Sequence, residues 1–237
     1  MLSVAVVRTL SEHQGVSLLT VAEKLQYDVL PMRRKKDWLA GRVAVKRALR
    51  RLLVKRLPQR SVALTDIEIN SLPNGAPRYR LMKSLLANHL PEEKQFRISI
   101  SHTLGIGVAA ASDDWWVGID IERVRQFEER LLNHFLTEKE KLYLEKQPRE
   151  HHDCIATWLW SYKEAFLKAL ETGLAIHPRK IEIALDSRAC ARRILYQGKS
   201  HSVFSRKQKI DDGVYMVILT GSDILVSEDE SKESVKI

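Results

Sequence analysis

The stretch Gly118-Ile119-Asp120-Ile121-Glu122 alternates apolar and acidic side chains, a pattern that predicts a β-strand with one acidic face. On this strand Asp120 and Glu122 point to one side, while Ile119 and Ile121 pack on the other. Two carboxylates about 7 Å apart on one face resist ionising together unless a cation lies between them. Oxygen ligands suit Mg²⁺ or Mn²⁺. The stretch therefore predicts a hard-metal site, with a solvated acidic strand face as the alternative.

A second group of polar side chains lies on a helix that we predict over residues 153–171. Glu164 and Lys168 are four residues apart and are therefore neighbours on one helix face, with Trp160 one turn earlier on the same side. The alternative interpretation is a surface ion pair, which contributes only about 0.3–0.5 kcal/mol. Gly173 follows the predicted helix end, where we expect the left-handed residue.

The composition is that of an ordinary folded protein of 237 residues, 44% hydrophobic and 29% charged. This length allows one large domain or two small packed ones. Cys154 and Cys190 are far apart and lack metal-type spacing, so we expect two free thiols in a reducing cytosol. The apolar run at residues 4–7 is too short for a signal peptide and no stretch reaches membrane-spanning length, so the expected location is cytoplasmic.

Positive charge is concentrated in one segment. Residues 31–60 hold twelve Lys or Arg against the single acid Asp37, an excess of eleven positive charges in a chain whose net charge is +9. The rest of the chain is therefore slightly acidic. Such a segment suits phosphates or an acidic protein partner, with an ordinary solvated basic helix as the alternative.

The apolar periodicity predicts most of the secondary structure. After a first strand at residues 4–7, a polar turn at 11–15 leads into a helix that ends before Pro31. An amphipathic helix follows over residues 33–57, with its cations on the faces opposite the apolar set, and Pro58 ends it. A Thr137 and Glu140 capping box starts a further helix that runs to about residue 146.

Short strands fill the remaining segments. We predict strands at residues 67–69, 78–81, 96–100, 105–111, 181–185, 194–197, 202–205 and 214–220. Ser101, His102 and Thr103 are predicted to form a loop, and residues 72–77 a turn. The polar stretch from Ser227 is predicted to be a disordered tail.

Each half of the chain holds a long helix with an early Trp and then an Ile-Glu-Ile strand, at residues 67–69 and 181–183. The separations of 122 for Trp38 and Trp160 and 114 for the strands differ, so the pattern suggests two similar halves without proving a duplication. The predicted fold class is α+β, with two similar subdomains related by a pseudo-twofold axis. Each packs a long helix on a small antiparallel sheet, over residues 1–114 and 115–226, followed by the tail at 227–237.

Taken together, the stretch 118–122 and the stretch 160–168, Trp-Ser-Tyr-Lys-Glu-Ala-Phe-Leu-Lys, resemble the paired signature of the 4′-phosphopantetheinyl transferases. That family's motifs read G-I/V-D-x-E and W-x-x-K-E-A/S-x-x-K, and the closer resemblance is to the long, monomeric Sfp-type members. Residues 99–102 resemble its N-I-S-H motif with Ser99 replacing Asn, and residues 74–77 its G-K-P turn with Ala76 replacing Lys. Arg33, eight residues before Gly41, lies where relatives have a phosphate-binding Arg.

The resemblance implies transfer of the phosphopantetheine group of coenzyme A to a serine of an apo acyl or peptidyl carrier protein, with release of adenosine 3′,5′-bisphosphate. Asp120, Glu122 and Glu164 would hold Mg²⁺, or Mn²⁺, on the diphosphate. Lys168 would contact a phosphate oxygen. Glu164 is the candidate for taking the serine proton, directly or through a metal-bound water, which makes Asp120, Glu164 and Lys168 the catalytic set.

Coenzyme A is implied as the co-substrate. Arg33, Ser101 and His102 would hold its 3′-phosphate, and the Gly75-Ala76-Pro77 turn would face its adenine. Asp120 and Lys168 would contact the diphosphate of coenzyme A. Carrier proteins are acidic near their modified serine, so part of the basic surface would dock one. The resemblance also implies a monomer with its active site between the two halves.

Three other functions remain open from the residues. A metal-dependent nuclease or phosphohydrolase would also use clustered carboxylates, although Val124 lies where nuclease motifs place a Lys. A non-catalytic nucleic-acid-binding protein would explain the basic segment but leaves the carboxylates and Lys168 without a role. A coenzyme A binder without activity would not need those acids. Nucleic acid and membrane are therefore not the expected partners.

Overall fold

The computed structural model of the chain describes residues 1–8, 10–59, 61–82, 96–172 and 175–221. The predicted tail at residues 227–237 lies outside the described residues. The two predicted halves of the chain are the N-terminal half, residues 1–114, and the C-terminal half, residues 115–226.

In its described residues, the N-terminal half contains an edge strand, three helices and four further strands. Their bounds are β1 Leu2–Val7, α1 Glu12–Ser17, α2 Val21–Asp28, α3 Met32–Arg56, β2 Ile67–Ser71, β3 Pro77–Leu81, β4 Arg97–Thr103 and β5 Ile106–Ser112. Pro58, two residues after α3, lacks the N–H that a further helical turn would need, as expected.

The C-terminal half repeats this order with one more strand. Its elements are β6 Trp116–Arg123, α4 Glu129–Phe135, α5 Glu138–Glu145, α6 His152–Ala169, β7 Ile181–Leu185, β8 Ala191–Tyr196, β9 Lys199–Ser202, β10 Phe204–Asp211 and β11 Val214–Gly221.

The sheets have the same connectivity in both halves. The orders β1-β5-β4 and β6-β11-β10 each place the last strand of the half between its first and its penultimate strand, and all described pairings are antiparallel. The remaining strands form a hairpin, β2-β3, and a three-stranded sheet, β7-β8-β9. The α+β class is therefore confirmed. The division after residue 114 stays a prediction. It is supported by the described strand pairings, each of which joins two strands of the same half.

A buried ion pair between a capping glutamate and a lysine of the long helix organises the N-terminal half. Thr20 caps α2, and the Glu23 side chain completes a capping box with it. The Lys46 ammonium from α3 lies 2.5 Å from Glu23 Oε2 and donates to the Leu18 carbonyl at 2.9 Å. Glu23 Oε1 accepts from the Ile69 amide of β2 at 3.0 Å. One carboxylate thus joins two helices and a strand.

The C-terminal half contains the same ion pair. Thr137 and Glu140 form the predicted capping box at α5, and the Lys163 ammonium of α6 lies 2.6 Å from Glu140 Oε2 and 2.6 Å from the Phe135 carbonyl. The Ile183 amide of β7 donates to Glu140 Oε1 at 2.8 Å. Threonine, glutamate and lysine each recur 117 positions later, so these side chains, and not the two tryptophans, give the correct alignment of the halves.

Three large apolar clusters, together with a small one of Leu19, Tyr27 and Leu39, hold the described elements together. One packs α3 against β1 and β5, a second packs α6 against β6 and β11, and a third lies between the two main sheets. Val108, Ile119 and Met216 belong to this third cluster and are at most 1% exposed. Ile119 and Ile121 therefore pack into the core as predicted, which leaves Asp120 and Glu122 on the face towards α6.

Several local predictions are wrong. Residues 101–103 continue β4, and the turn falls at Leu104 and Gly105, both with positive φ. Residues 12–17 are helical, because Ser11 caps α1 by accepting from the Gln14 amide. The predicted strand at 202–205 is divided between β9 and β10. Helix α4 is not predicted by the apolar periodicity.

The end of α6 also differs from the prediction. The helix ends at Ala169, and Glu171 adopts the left-handed conformation with φ 58°. Gly173 lies outside the described residues. Two cations of α3 are not on a solvated face, because Lys46 is 0% and Arg42 is 8% exposed.

Candidate active site

Gly118 lets helix α6 lie directly on strand β6. A Cβ atom at this position would lie 1.8 Å from the Ala165 carbonyl oxygen, so only glycine permits this approach. Glu164 and Lys168 flank Ala165 on the helix. The close crossing therefore places both side chains over the acidic face of β6.

Lys168, Asp120 and Ser101 form a compact network at this crossing. The Lys168 ammonium lies 2.6 Å from Asp120 Oδ1 and 2.9 Å from Ser101 Oγ. The Ser101 hydroxyl donates to the same Asp120 oxygen at 2.8 Å. Asp120 Oδ2 is buried and, among the described residues, has no hydrogen-bond partner. A buried carboxylate oxygen without a donor is an open ligand position.

Glu122 and Glu164 add further negative charge beside Asp120. Trp160 donates its indole N–H to Glu122 Oε1 at 3.2 Å. Burial, together with the Asp120 charge, raises the pKa of Glu122 to about 7. Burial also raises the pKa of Glu164, with Asp120 adding to the effect and Lys168 opposing it. This side of β6 therefore concentrates carboxylates that a cation would stabilise.

These residues fit a magnesium ion shared with a ligand. In the described parts of the chain, no three His, Cys, Asp or Glu side chains converge closely enough to hold an ion alone. Mg²⁺, however, is commonly held by one or two carboxylates together with substrate phosphate oxygens. The unpartnered Asp120 Oδ2 meets that requirement. The ligand set Asp120, Glu122 and Glu164 stays a prediction.

A cleft with a volume of about 440 Å³ begins at Lys168 and extends along the N-terminal half. Both halves contribute to its wall. The lining includes Arg34, Trp38, Gly41, Arg42, Ser71, Asn74, Gly75, Ala76, Pro77, Ser99, Ile100 and His102 from one half and Lys168 and Glu171 from the other.

Most of the predicted coenzyme A residues lie on this cleft. Gly75, Ala76, Pro77, His102 and Lys168 line it. Burial lowers the pKa of His102 below its ordinary 6.5, with Asp37 opposing the shift, so this imidazole is largely neutral at pH 7.

Three predicted residues, Arg33, Ser101 and Asp120, are not among the lining residues. Arg33 is exposed at the start of α3, and its neighbour Arg34 lines the cleft instead. Ser101 belongs to the Asp120 network, because as part of β4 its side chain points towards β6.

The residues that fix the cleft wall were not predicted from the sequence. The Arg42 guanidinium lies 4.6 Å from the Trp38 ring centroid and donates to the Ile69 carbonyl at 2.6 Å. Arg42 directly follows Gly41, which the family resemblance includes. Helical periodicity alone, however, predicts that the Arg42 cation lies on a solvated surface. The same periodicity identifies Trp38 only as an apolar helix position.

The turn of residues 74–77 is attached to the C-terminal half. Asn74 Nδ2 donates to the Glu171 carbonyl at 2.8 Å, and its Oδ1 accepts from the Ala76 amide at 3.1 Å. Arg78 forms a two-point ion pair with the Glu171 carboxylate, with Nη1 at 3.0 Å from Oε1. Gly75 has φ 85°, which suits glycine. These contacts hold both walls of the cleft in register.

Comparison with known proteins identifies the class. Residues 116–218 match the family model of the 4′-phosphopantetheinyl transferase superfamily. This segment contains Asp120, Glu122, Glu164 and Lys168, and its match agrees with the resemblance that the paired motifs predict. The narrower Sfp-type subclass is consistent with a length of 237 residues and stays a prediction.

One curated relative and two solved structures are similar to parts of the chain. The 4′-phosphopantetheinyl transferase psf-1 of Bacillus pumilus is 36% identical over 80 residues, and the match spans 34% of this chain and 34% of that protein. A holo-(acyl-carrier-protein) synthase of Bacillus anthracis in complex with coenzyme A (3′,5′-ADP) has 21% identity and a TM-score of 0.37, covering 44% of this chain and 92% of that one. The Helicobacter pylori synthase in complex with coenzyme A has 21% identity and a TM-score of 0.30, covering 47% and 98%. At these TM-scores the two structures carry no weight in the assignment.

Two further expectations concern the chain as a whole. Cys154 and Cys190 are both free thiols, as predicted. Among the helices of the described ranges, none combines the length and the apolar character that a bilayer-spanning segment needs.

Proposed function

We propose that this protein transfers the 4′-phosphopantetheine group of coenzyme A to a serine hydroxyl of an apo acyl or peptidyl carrier protein. Adenosine 3′,5′-bisphosphate is the other product. The observation that carries the proposal is the Lys168, Asp120 and Ser101 network at the end of a cleft between the two halves. Asp120 and Lys168 of this network lie in the part of the chain that matches the superfamily.

The cleft suits the nucleotide end of coenzyme A. The Gly75-Ala76-Pro77 turn offers backbone polar groups to the adenine, and Trp38 supplies an aromatic face nearby. Arg34, with Arg33 beside it on the helix, provides positive charge for the 3′-phosphate. The neutral His102 adds a hydrogen bond rather than a charge. In this orientation the diphosphate lies at Lys168, next to the carboxylate of Asp120.

The reaction forms a bond between the serine oxygen and the phosphorus that carries the pantetheine arm. The bond from that phosphorus to the bridging oxygen of the diphosphate breaks, and the adenosine bisphosphate leaves with the electron pair. The Lys168 ammonium stabilises the charge that develops on the phosphate oxygens. Glu164, whose pKa burial raises, is placed to accept the serine proton. The substrate brings its own nucleophile, so the chain needs none.

Asp120, Glu122 and Glu164 are the residues that would hold Mg²⁺, with Mn²⁺ as the substitute. When bound, the ion supplies positive charge to the diphosphate during transfer. Asp120 is oriented for this by Ser101 and Lys168, which both bind Oδ1 and leave Oδ2 free of donors among the described residues.

The proposed partner is an acidic carrier protein, for which the basic surface of α3 provides complementary charge. We further propose a cytoplasmic monomer, because one chain supplies both walls of the cleft and its two cysteines are free thiols. The proposal needs no nucleic acid. Sedimentation or light scattering of the purified protein would test the monomer.

Intact-protein mass spectrometry of apo carrier proteins tests the function. Incubation with this protein, coenzyme A and Mg²⁺ should add one phosphopantetheine group, and EDTA should prevent the addition. Asp120→Asn protein serves as the inactive control. If no carrier type gains the group while coenzyme A is hydrolysed in the absence of a carrier, the phosphohydrolase alternative is correct instead.

A further inference from the structure

The alignment of the two halves identifies a counterpart of the active site in the N-terminal half. The offset of 117 residues that relates Lys46 to Lys163 also relates Arg51 to Lys168 and Ser3 to Asp120. Ser3 lies on the same face of β1 as Ala5 and Val7, which pack in the cluster beneath α3. A cation of the long helix therefore faces a polar residue of the first strand in each half.

A cleft is present at this second crossing. Its volume is about 480 Å³, and its lining includes Ser3, Arg50, Arg51 and Lys55. Ser3 is 8% exposed, and within the described residues its buried hydroxyl has no hydrogen-bond partner. A buried hydroxyl that faces a cleft without a partner indicates a missing ligand.

The three cations of this cleft are held in place without being neutralised. Arg51 Nη1 donates to the Val4 carbonyl at 2.5 Å, and Arg50 Nε donates to the Val62 carbonyl at 2.7 Å. The Lys55 ammonium contacts the Met1 sulfur at 3.4 Å. Carbonyl and thioether partners leave the positive charges uncompensated, and in the parts of the chain described here none of the three has an acidic partner.

Two acids, Asp113 and Asp114, lie near this site, and both are already engaged. Asp114 Oδ2 accepts from the Met1 amino group at 3.2 Å. The Asp113 carboxylate accepts from Arg56 Nη2 at 2.8 Å and from the Met1 amino group. Arg56 is therefore not counted as a free cation, and Asp113 does not neutralise Arg50, Arg51 or Lys55.

We propose that this cleft between β1 and α3 is a second, metal-independent binding site for a phosphate-type oxyanion. In the active site, Lys168 faces the carboxylates of Asp120 and Glu122, and a bridging cation is needed before a phosphate can approach. In the counterpart, Ser3 and Ala5 take the positions of Asp120 and Glu122, and Arg51 lines the same cleft as Ser3, so the first strand presents no carboxylate to the anion. The Ser3 hydroxyl donates to one oxygen, and the guanidinium groups donate to the others.

Calorimetric titration of the full-length protein in EDTA tests the site, with inorganic phosphate and diphosphate as separate probes. Arg51→Gln should weaken the metal-independent binding about tenfold, because it removes a charged donor. Ser3→Ala should weaken it by a smaller factor. Since the Ser3 hydroxyl binds nothing else among the described residues, this variant should fold normally. Lys146→Gln, which removes one charge from the surface of the other half, should leave the binding unchanged.

Backbone amide shifts in NMR spectra locate the site. The amide signals of residues 2–5 should shift on titration. The probe that binds more tightly, phosphate or diphosphate, shows whether the site prefers a single phosphate group or a diphosphate. Unshifted amides in residues 2–5, or Arg51→Gln and Ser3→Ala proteins that bind as the parent does, would overturn the proposal. Ser3→Ala changes no residue of the proposed transferase site or of the basic α3 surface and should keep its transferase activity, so this result is independent of the proposed function.

Discussion

The two halves share the same buried framework and differ in the chemistry placed on it. Lys46 and Glu23 in one half match Lys163 and Glu140 in the other, down to the carbonyl that each lysine binds. One turn further along each long helix, the similarity ends. The C-terminal half presents Lys168 to Asp120, whereas the N-terminal half presents Arg51 to Ser3. A feature present in both halves belongs to the fold, and a feature present in one belongs to the reaction.

The largest effect is expected from breaking the shared framework. Lys163→Met leaves the Glu140 carboxylate buried without its cation and should lower the free energy of unfolding by about 3–5 kcal/mol. Lys46→Met should cost a similar amount, since Glu23 has the same environment. Urea denaturation measures both. Lys139→Met, which removes an exposed ion pair with Glu182, is the matched control and should change stability little.

This prediction also tests whether the two ion pairs are equivalent. Suppose that Lys163→Met lowers the free energy of unfolding several times more than Lys46→Met does. Only the C-terminal half would then depend on its buried ion pair. The two ion pairs would then have the same geometry but would contribute differently to stability.

The next effect concerns the residues that differ between the halves. Lys168→Ala and Glu122→Ala should each lower turnover by about 10²-fold while leaving the fold intact. In the proposed reaction Lys168 would stabilise the charge that develops on the phosphate oxygens, and Glu122 belongs to the predicted cation site. Mass-spectrometric rates of carrier modification measure the loss. Near-normal turnover in either variant would mean that its assigned role is wrong.

Two glycines provide a third comparison, because each lets a long helix approach a strand. A Cβ at Gly118 would lie 1.8 Å from the Ala165 oxygen, and one at Gly107 would lie 2.2 Å from the Ala40 carbonyl carbon. Gly118→Ala and Gly107→Ala should each cost about 1–3 kcal/mol of stability, because the helix must shift. Thermal unfolding measures this cost.

Activity separates these two glycine variants. Gly118→Ala displaces Glu164 and Lys168 from Asp120 and should lower turnover well beyond its effect on stability. Gly107→Ala acts on the other helix and should lower turnover far less. Equal activity in the two variants at a temperature where both are folded would contradict the role given to Gly118.

The sequence predicted features that depend on local periodicity. The alternation at residues 118–122 placed Asp120 and Glu122 correctly on one face, and the spacing of Glu164 and Lys168 placed them on one side of α6. Both long helices and the Thr137 capping box were predicted for the same reason. Each of these depends on neighbours within a few residues.

Features that depend on tertiary packing were not predicted. Lys46 and Lys163 were not recognised as buried, because a lysine is normally exposed and only a partner from another helix can bury it. A signal was present, since in both halves a Thr-x-x-Glu motif precedes the lysine by the same interval. Arg34, and not the predicted Arg33, lines the cleft. Which of two adjacent residues faces the cleft depends on the rotation of the helix about its axis, and periodicity alone does not determine that rotation to within one residue.

The smallest effect is expected where the two halves meet at the cleft. The Arg78 side chain is 39% and the Glu171 side chain 28% exposed, so their ion pair should contribute only about 0.2–1 kcal/mol. Arg78→Gln should therefore hardly change unfolding. Its effect should appear in substrate binding, because Glu171 also holds Asn74 and the turn at the cleft wall. We expect a higher KM for coenzyme A with little change in kcat, measured by varying coenzyme A at saturating carrier protein. A fall in kcat without a change in KM would place this contact in the chemistry and not in the binding of the nucleotide.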